Sequence, residues 1–112
     1  QRLVITREIG DRRGEDQALG QLGVAYYSLG EWRRAIESCD QALQIASEIG
    51  DRQGQSSALW TMSRALDKIG NRAAAISRAE QALAIMEQIR DPKTGEVRQQ
   101  LAAWRGEQPA EH

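Results

Sequence analysis

Much is missing from this chain of 112 residues, and each absence narrows what it can be. It has a single cysteine, Cys39, so neither an internal disulfide framework nor a cysteine-based zinc site can be built within it. Its one histidine, His112, is the last residue, so neither a Ser/His/Asp triad nor a histidine metal site can be assembled. No apolar run approaches the roughly 18 residues of a membrane span. A signal peptide's basic start, short apolar stretch and small cleavage residues are also absent. With 15 Lys and Arg against 16 Asp and Glu, the formal charge is -1. That balance supplies no basic field for non-specific nucleic-acid binding. The expected compartment is the cytoplasm, and neither a membrane nor a nucleic acid is an expected partner. No stretch alternates apolar and polar residues with period two, so no strand is expected.

What is present is repetition. Gly10 to Ile49 aligns with Gly50 to Ile89, and fifteen of the forty positions are identical. They include the turn residues Gly10/Gly50 and Gly30/Gly70, and the small or aliphatic residues Ala25/Ala65, Ala35/Ala75, Ile36/Ile76, Ala42/Ala82 and Leu43/Leu83. A period of this length marks a solenoid whose units bury their apolar faces by stacking on neighbours. Leu3, Ile5, Glu8 and Ile9 match Leu43, Ile45, Glu48 and Ile49 at the same offset, so residues 1–9 read as the remnant second helix of a preceding repeat. The chain opens at Gln1 without an initiator methionine, and the expectation is the C-terminal end of a longer array.

Each unit holds two helical patterns parted by glycine. Ala18, Leu19, Leu22, Ala25, Tyr26 and Leu29 recur at three- and four-residue intervals, predicting a helix from about Arg13 to Leu29. Trp32, Ala35, Ile36, Cys39, Ala42, Leu43, Ala46 and Ile49 predict a second from about Glu31 to Ile49, closed by Gly50. Asp51 and Asn71 are placed to cap the helices that follow them. The alanines leave little side chain between axes, so antiparallel neighbours are expected to approach closely. Asp91-Pro92 reads as a helix start, and Val97, Leu101 and Trp104 form the narrow apolar stripe of a capping helix. The expected organisation is repeat 1 over 10–49, repeat 2 over 50–90, a capping helix over 91–105 and a disordered tail over 106–112. The fold class is all-α, a right-handed α-solenoid of antiparallel helix hairpins.

These residues resemble the tetratricopeptide repeat, in its branch of roughly forty-residue units. Unit one reads Leu19, Leu22-Gly23, Tyr26, Ala35, Cys39 and Ala42. Unit two reads Leu59, Met62-Ser63, Leu66, Ala75, Ala79 and Ala82, where Ser63 keeps only the smallness of glycine. The family's proline near the end of the second helix is replaced by Ser47 and Glu87. Phrases such as Arg7-Glu8-Ile9-Gly10-Asp11-Arg12 and Val97-Arg98-Gln99-Gln100-Leu101 are similar to bacterial multidomain signalling proteins. In those, such arrays follow a nucleotide-binding switch of the STAND NTPase type, which implies a sensor or scaffold segment of a larger switch.

The resemblance implies a protein–protein interaction module that takes a peptide or partner helix in a concave groove lined by the first helices. Removing the packing stripe leaves Gln17, Gly20, Val24 and Tyr27 in unit one, and Ser57, Trp60, Arg64, Asp67 and Lys68 in unit two. The expected groove residues are Gln17, Val24, Tyr27, Trp60, Arg64 and Asp67. Trp60, Tyr27 and Arg64 are the residue types that dominate interfaces. Trp60 is read as groove-facing, the alternative being that it fills the space opposite Gly20. Arg64 either binds an acidic side chain or pairs with Asp67 along its helix, and the second is preferred. The Lys and Asn clamp that some members use for a carboxylate-ended peptide is not carried over, since Gly20, Val24, Trp60 and Arg64 stand there. Neither catalysis, a cofactor nor a metal is expected: Glu15 and Asp16 read as complements to a helix start, and Cys39 as a buried inert thiol. The alternative function is self-assembly, a homo-oligomer formed through the N-terminal edge at Leu3, Ile5 and Ile9.

Overall fold

The computed structural model describes residues 2–106, with side chains from Gly10 onward. The tail 107–112 and the side chains of Leu3, Ile5 and Ile9 lie outside the described residues. Five helices follow one another: α1 (Arg2–Ser28), α2 (Trp32–Ile49), α3 (Arg52–Lys68), α4 (Arg72–Ile89) and α5 (Thr94–Trp104). Among the described residues there is no strand. α1 packs against α2, α2 against α3 and α3 against α4, with α1 also beside α3, and α5 closes the end against α4. This is the helical-repeat solenoid expected from the forty-residue period.

The turns follow from local chemistry. Gly50 sits at φ 73°, where its N–H reaches the Ala46 carbonyl and satisfies one of the orphan acceptors of α2. At the equivalent place after α4 stands Arg90, held at φ 56°. A side chain in the left-handed region costs roughly 1–2 kcal/mol, so the second turn is strained where the first is not. Asp51 and Asn71 cap as expected, accepting from the backbone N–H of Gly54 at 3.0 Å and Ala74 at 3.2 Å. α5 starts later than expected, at Thr94. Asp91 instead accepts from the Lys93 N–H at 2.8 Å, which holds Asp91, Pro92 and Lys93 in a turn ahead of the helix.

The close helix approach is borne by small residues. Ala35, Ala75, Ala79 and Ala82 are fully buried. A Cβ on Gly23 would stand 2.5 Å from the Cys39 sulfur, so α1 and α2 touch there only because the side chain is absent. Ser63 holds that place in α3, with its hydroxyl donating to the Trp60 carbonyl at 2.8 Å. Two apolar clusters result. Cys39, Ala42, Ala58 and Met62 join α2 to α3. Leu59, Trp60, Ala79, Met86, Val97 and Leu101 join α3, α4 and α5. Burial raises the Cys39 thiol to about 12, leaving it protonated and inert.

Two expectations about α1 are overturned. The helix runs unbroken from Arg2 and passes through Gly10, which does not turn as Gly50 does. Glycine permits a left-handed turn without imposing one, and the packing that reverses the chain at Gly50 is not reproduced at Gly10. Much of the expected packing stripe is also bare. Ala18 and Ala25 are exposed, Leu22 is 43 % exposed and Leu29 71 %. Their counterparts forty residues on, Ala58, Met62 and Ala65, are buried because α2 covers that face of α3. No described helix covers the same face of α1.

Candidate functional site

The side chains left over from packing on α1 and α3 converge on one face, where they line two adjoining clefts. The first, of about 400 Å³, lies between Gln17, Gly20 and Val24 of α1 and Gln53, Ser57 and Thr61 of α3. Gly20 contributes the room and Val24, 52 % exposed, an apolar wall. The second, of about 280 Å³, is bounded by Tyr27, Trp60, Arg64, Asp67 and Lys68, with Glu96, Gln100 and Trp104 contributed by α5. The six expected groove residues thus divide. Gln17 and Val24 stand in the first cleft, and Tyr27, Trp60, Arg64 and Asp67 in the second.

Trp60 requires a correction. It is 4 % exposed rather than open to the groove, with its ring against Trp104 (centroids 6.3 Å apart) and inside the cluster that includes Val97 and Leu101. α5, packed on α4, brings Val97, Leu101 and Trp104 against Trp60 in the middle of α3. A helical period within one unit carries no information about which later helix covers it. Trp60 meets the cleft only at an edge, and its indole N–H has no hydrogen-bond partner.

Arg64 also departs from its preferred reading. Asp67 pairs with Arg72 at 2.7 Å rather than with Arg64. The Arg64 guanidinium carbon sits 4.4 Å from the Tyr27 ring centre and 5.6 Å from that of Trp60. Tyr27 in turn packs on Trp32, with centroids 5.1 Å apart, and the Lys68 ammonium stands 5.8 Å from the Trp32 ring. Cation–π contacts hold both cations in place without cancelling their charge. Among the described residues neither Arg64 nor Lys68 forms an ion pair. Sequence reasoning placed Trp32 in the packing stripe of α2 and had no signal for Glu96, Gln100 or Trp104, which arrive from another element.

The far end of the first cleft holds a pair of carboxyl groups. Because α1 starts at Arg2, Asp16 is a mid-helix residue rather than a complement to a helix start, and it is 2 % exposed. It meets Asp51 at a point where a Cβ on Gly54 would lie within 2.7 Å of both carboxyl groups. Burial, the hydrogen bond to Asp51 and repulsion from it push the Asp16 carboxyl up to about 7, with Arg13 opposing. The Asp51 carboxylate is held below its usual range despite its burial, by hydrogen bonds from Asp16 and from the Gly54 N–H. Below about 7 Asp16 is the member of the pair that holds the proton, placed to donate it to Asp51. The equivalent place forty residues on is held by Ser56, which is also fully buried.

A family model, tetratricopeptide repeat, matches residues 14–88. The chain belongs to the tetratricopeptide repeat family. Both clefts take residues from α1 and α3 within the matched stretch, and the second adds α5. The family is in general a protein–protein interaction module that binds proteins or peptides, and its repeats are typically non-enzymatic scaffolds. No curated protein matches the chain. Among the described residues no helix is long and apolar enough to cross a membrane, and no group of three or more metal-ligating side chains occurs.

Proposed function

We propose that this tetratricopeptide segment captures an extended peptide segment of a partner protein in the α1–α3 groove, within a larger cytoplasmic signalling protein for which it serves as sensor or scaffold. The observation that supports the groove is the coincidence of the two clefts with one stripe of α1 and α3 left free by packing. Tyr27, Arg64 and the edge of Trp60 form the anchoring end, with Gln17 and Val24 along the wall. Peptides selected from a displayed random library against the 112-residue chain test it. Val24→Arg, a change on an exposed wall, is expected to weaken them at least tenfold, and Gln44→Arg, on the exposed side of α2, to leave them unchanged. Full affinity in the Val24→Arg variant sinks the groove reading.

A second reading, self-assembly, is favoured by the bare face of α1. A helix with small residues spaced as on α2 would cover Ala18, Leu22 and Ala25 as α2 covers Ala58, Met62 and Ala65. Sedimentation equilibrium is expected to show concentration-dependent association that Leu22→Glu abolishes. A strict monomer up to millimolar concentration rules self-assembly out.

A further inference from the structure

The groove is electrically and sterically uneven along its length, and the unevenness specifies a ligand. One end carries Arg64 and Lys68, held over aromatic rings and free of ion pairs among the described residues. Of the two acids lining this cleft, Asp67 is occupied by Arg72, and Glu96 on the α5 wall pairs with neither cation. Partly exposed cations held on aromatic faces without an ion pair favour a carboxylate, and a planar guanidinium favours it in a fixed orientation. The middle of the groove is uncharged, with Val24 as its wall and the missing side chain of Gly20 as its depth. At the other end stand the carboxyl groups of Asp16 and Asp51, with Arg13 at the rim.

Spacing follows from helix geometry. Arg64 lies seven residues beyond Ser57 and Lys68 seven beyond Thr61. At 1.5 Å per residue the cations stand about 10 Å along α3 from the neutral cleft. An extended chain advances about 3.3 Å per residue, so three residues span that distance.

We propose that the groove selects an extended acidic segment, with an Asp or Glu carboxylate between Arg64 and Lys68 and an apolar side chain three residues away in the cleft beside Gly20 and Val24. The other end offers no unpaired cation, because Arg13 there faces the Asp51 carboxylate, so the acid belongs at the Arg64 and Lys68 end. This specificity rests on the groove reading above and adds the chemistry of the occupant.

The peptides selected from the random library supply the test, with ¹H–¹⁵N spectra of the 112-residue chain locating where they bind. The expected result is perturbation at Val24, Tyr27 and Arg64 by peptides that share an acidic residue three positions from an apolar one. Replacing that acid by its amide in the peptide weakens binding at least tenfold. Arg64→Gln with Lys68→Gln does the same with an unchanged helical circular-dichroism spectrum, and Glu96→Gln tightens binding by removing the opposing charge. Groove-bound peptides that are basic, or that lack the spacing, overturn the specificity and leave the groove reading standing. Peptides that bind elsewhere, or a library yielding none, overturn both. Should the double variant lose helical content, the Glu96→Gln variant and the peptide amide decide the matter, and indifference to both overturns the proposal.

Discussion

Trp60→Ala is expected to destabilise the fold by about 3–5 kcal/mol, the usual range for deleting a buried tryptophan side chain. The ring is 4 % exposed and is the piece on which α5 closes, through Trp104, Val97 and Leu101. For a domain of this size the melting temperature would fall on the order of 15 °C or more. Native domains have only about 5–15 kcal/mol in hand, so the variant would stand near the edge of unfolding. Trp60→Phe, which keeps most of the apolar area and removes the unpartnered indole N–H, is expected to lose far less. Thermal unfolding by circular dichroism checks both. A Trp60→Ala variant melting within a few degrees of the parent would show that the ring is not an internal support. The same burial makes this residue a poor probe of binding, because any loss of affinity would be confounded by loss of fold. Val24, Arg64 and Lys68, which are at least partly exposed, are the proper probes.

The second large effect is on pH dependence. Asp16 has a folded pKa raised to about 7 against an ordinary 3.8, so between those values the folded chain holds a proton that the unfolded chain has released. The stability this confers is fully present below about 3.8 and is lost as pH rises through about 7. Asp51 contributes with the opposite sign, since its lowered pKa gives stability that is lost only as pH falls through that value. The net expectation is a urea midpoint that declines from pH 5 to pH 8, by an amount on the order of 2 kcal/mol in unfolding free energy. Asp16→Asn supplies a permanent donor to Asp51 without a titrating proton. It is expected to flatten the dependence and to be the more stable protein at pH 8. Equal slopes for the two proteins would remove Asp16 from the account. The pair joins α1 to the turn before α3, so this proton bears on how firmly the two tetratricopeptide units are held together.

Legibility in the sequence varied with the range of the interaction concerned. α2 and α3 begin and end, and α4 begins, within a residue or two of the expected places, because those boundaries are set by Gly30, Gly50, Gly70, Asp51 and Asn71 acting locally. The buried alanines were equally legible from three- and four-residue spacing. α1 was not, for spacing shows which face is apolar but not whether a neighbour arrives to cover it. Leu22 and Met62 occupy the same place in the repeat, yet one is 43 % exposed and the other 2 %.

The candidate groove shows the same division. Its membership on α1 and α3 followed from subtracting the packing stripe, and Gln17, Val24, Tyr27, Arg64 and Asp67 do line the clefts. Their pairings did not follow. Asp67 is three residues from Arg64, within reach along one helix, but the turn at Gly70 brings Arg72 of the next helix onto it at 2.7 Å. The wall from α5 was illegible for the same reason.

The amino-acid order alone determined the all-helical repeat, its forty-residue unit, its tight interhelix seams and the stripe from which a groove is made. These depend on periodicity, side-chain size and turn residues, which act over a few positions. Only the tertiary structure decided that Trp60 is internal, that Asp16 is buried beside Asp51, that Arg64 and Lys68 keep their charge uncancelled, and that one face of α1 is bare. Each of these is a matter of which distant atoms arrive at a given side chain, and solvation, charge pairing and burial are properties of that arrival.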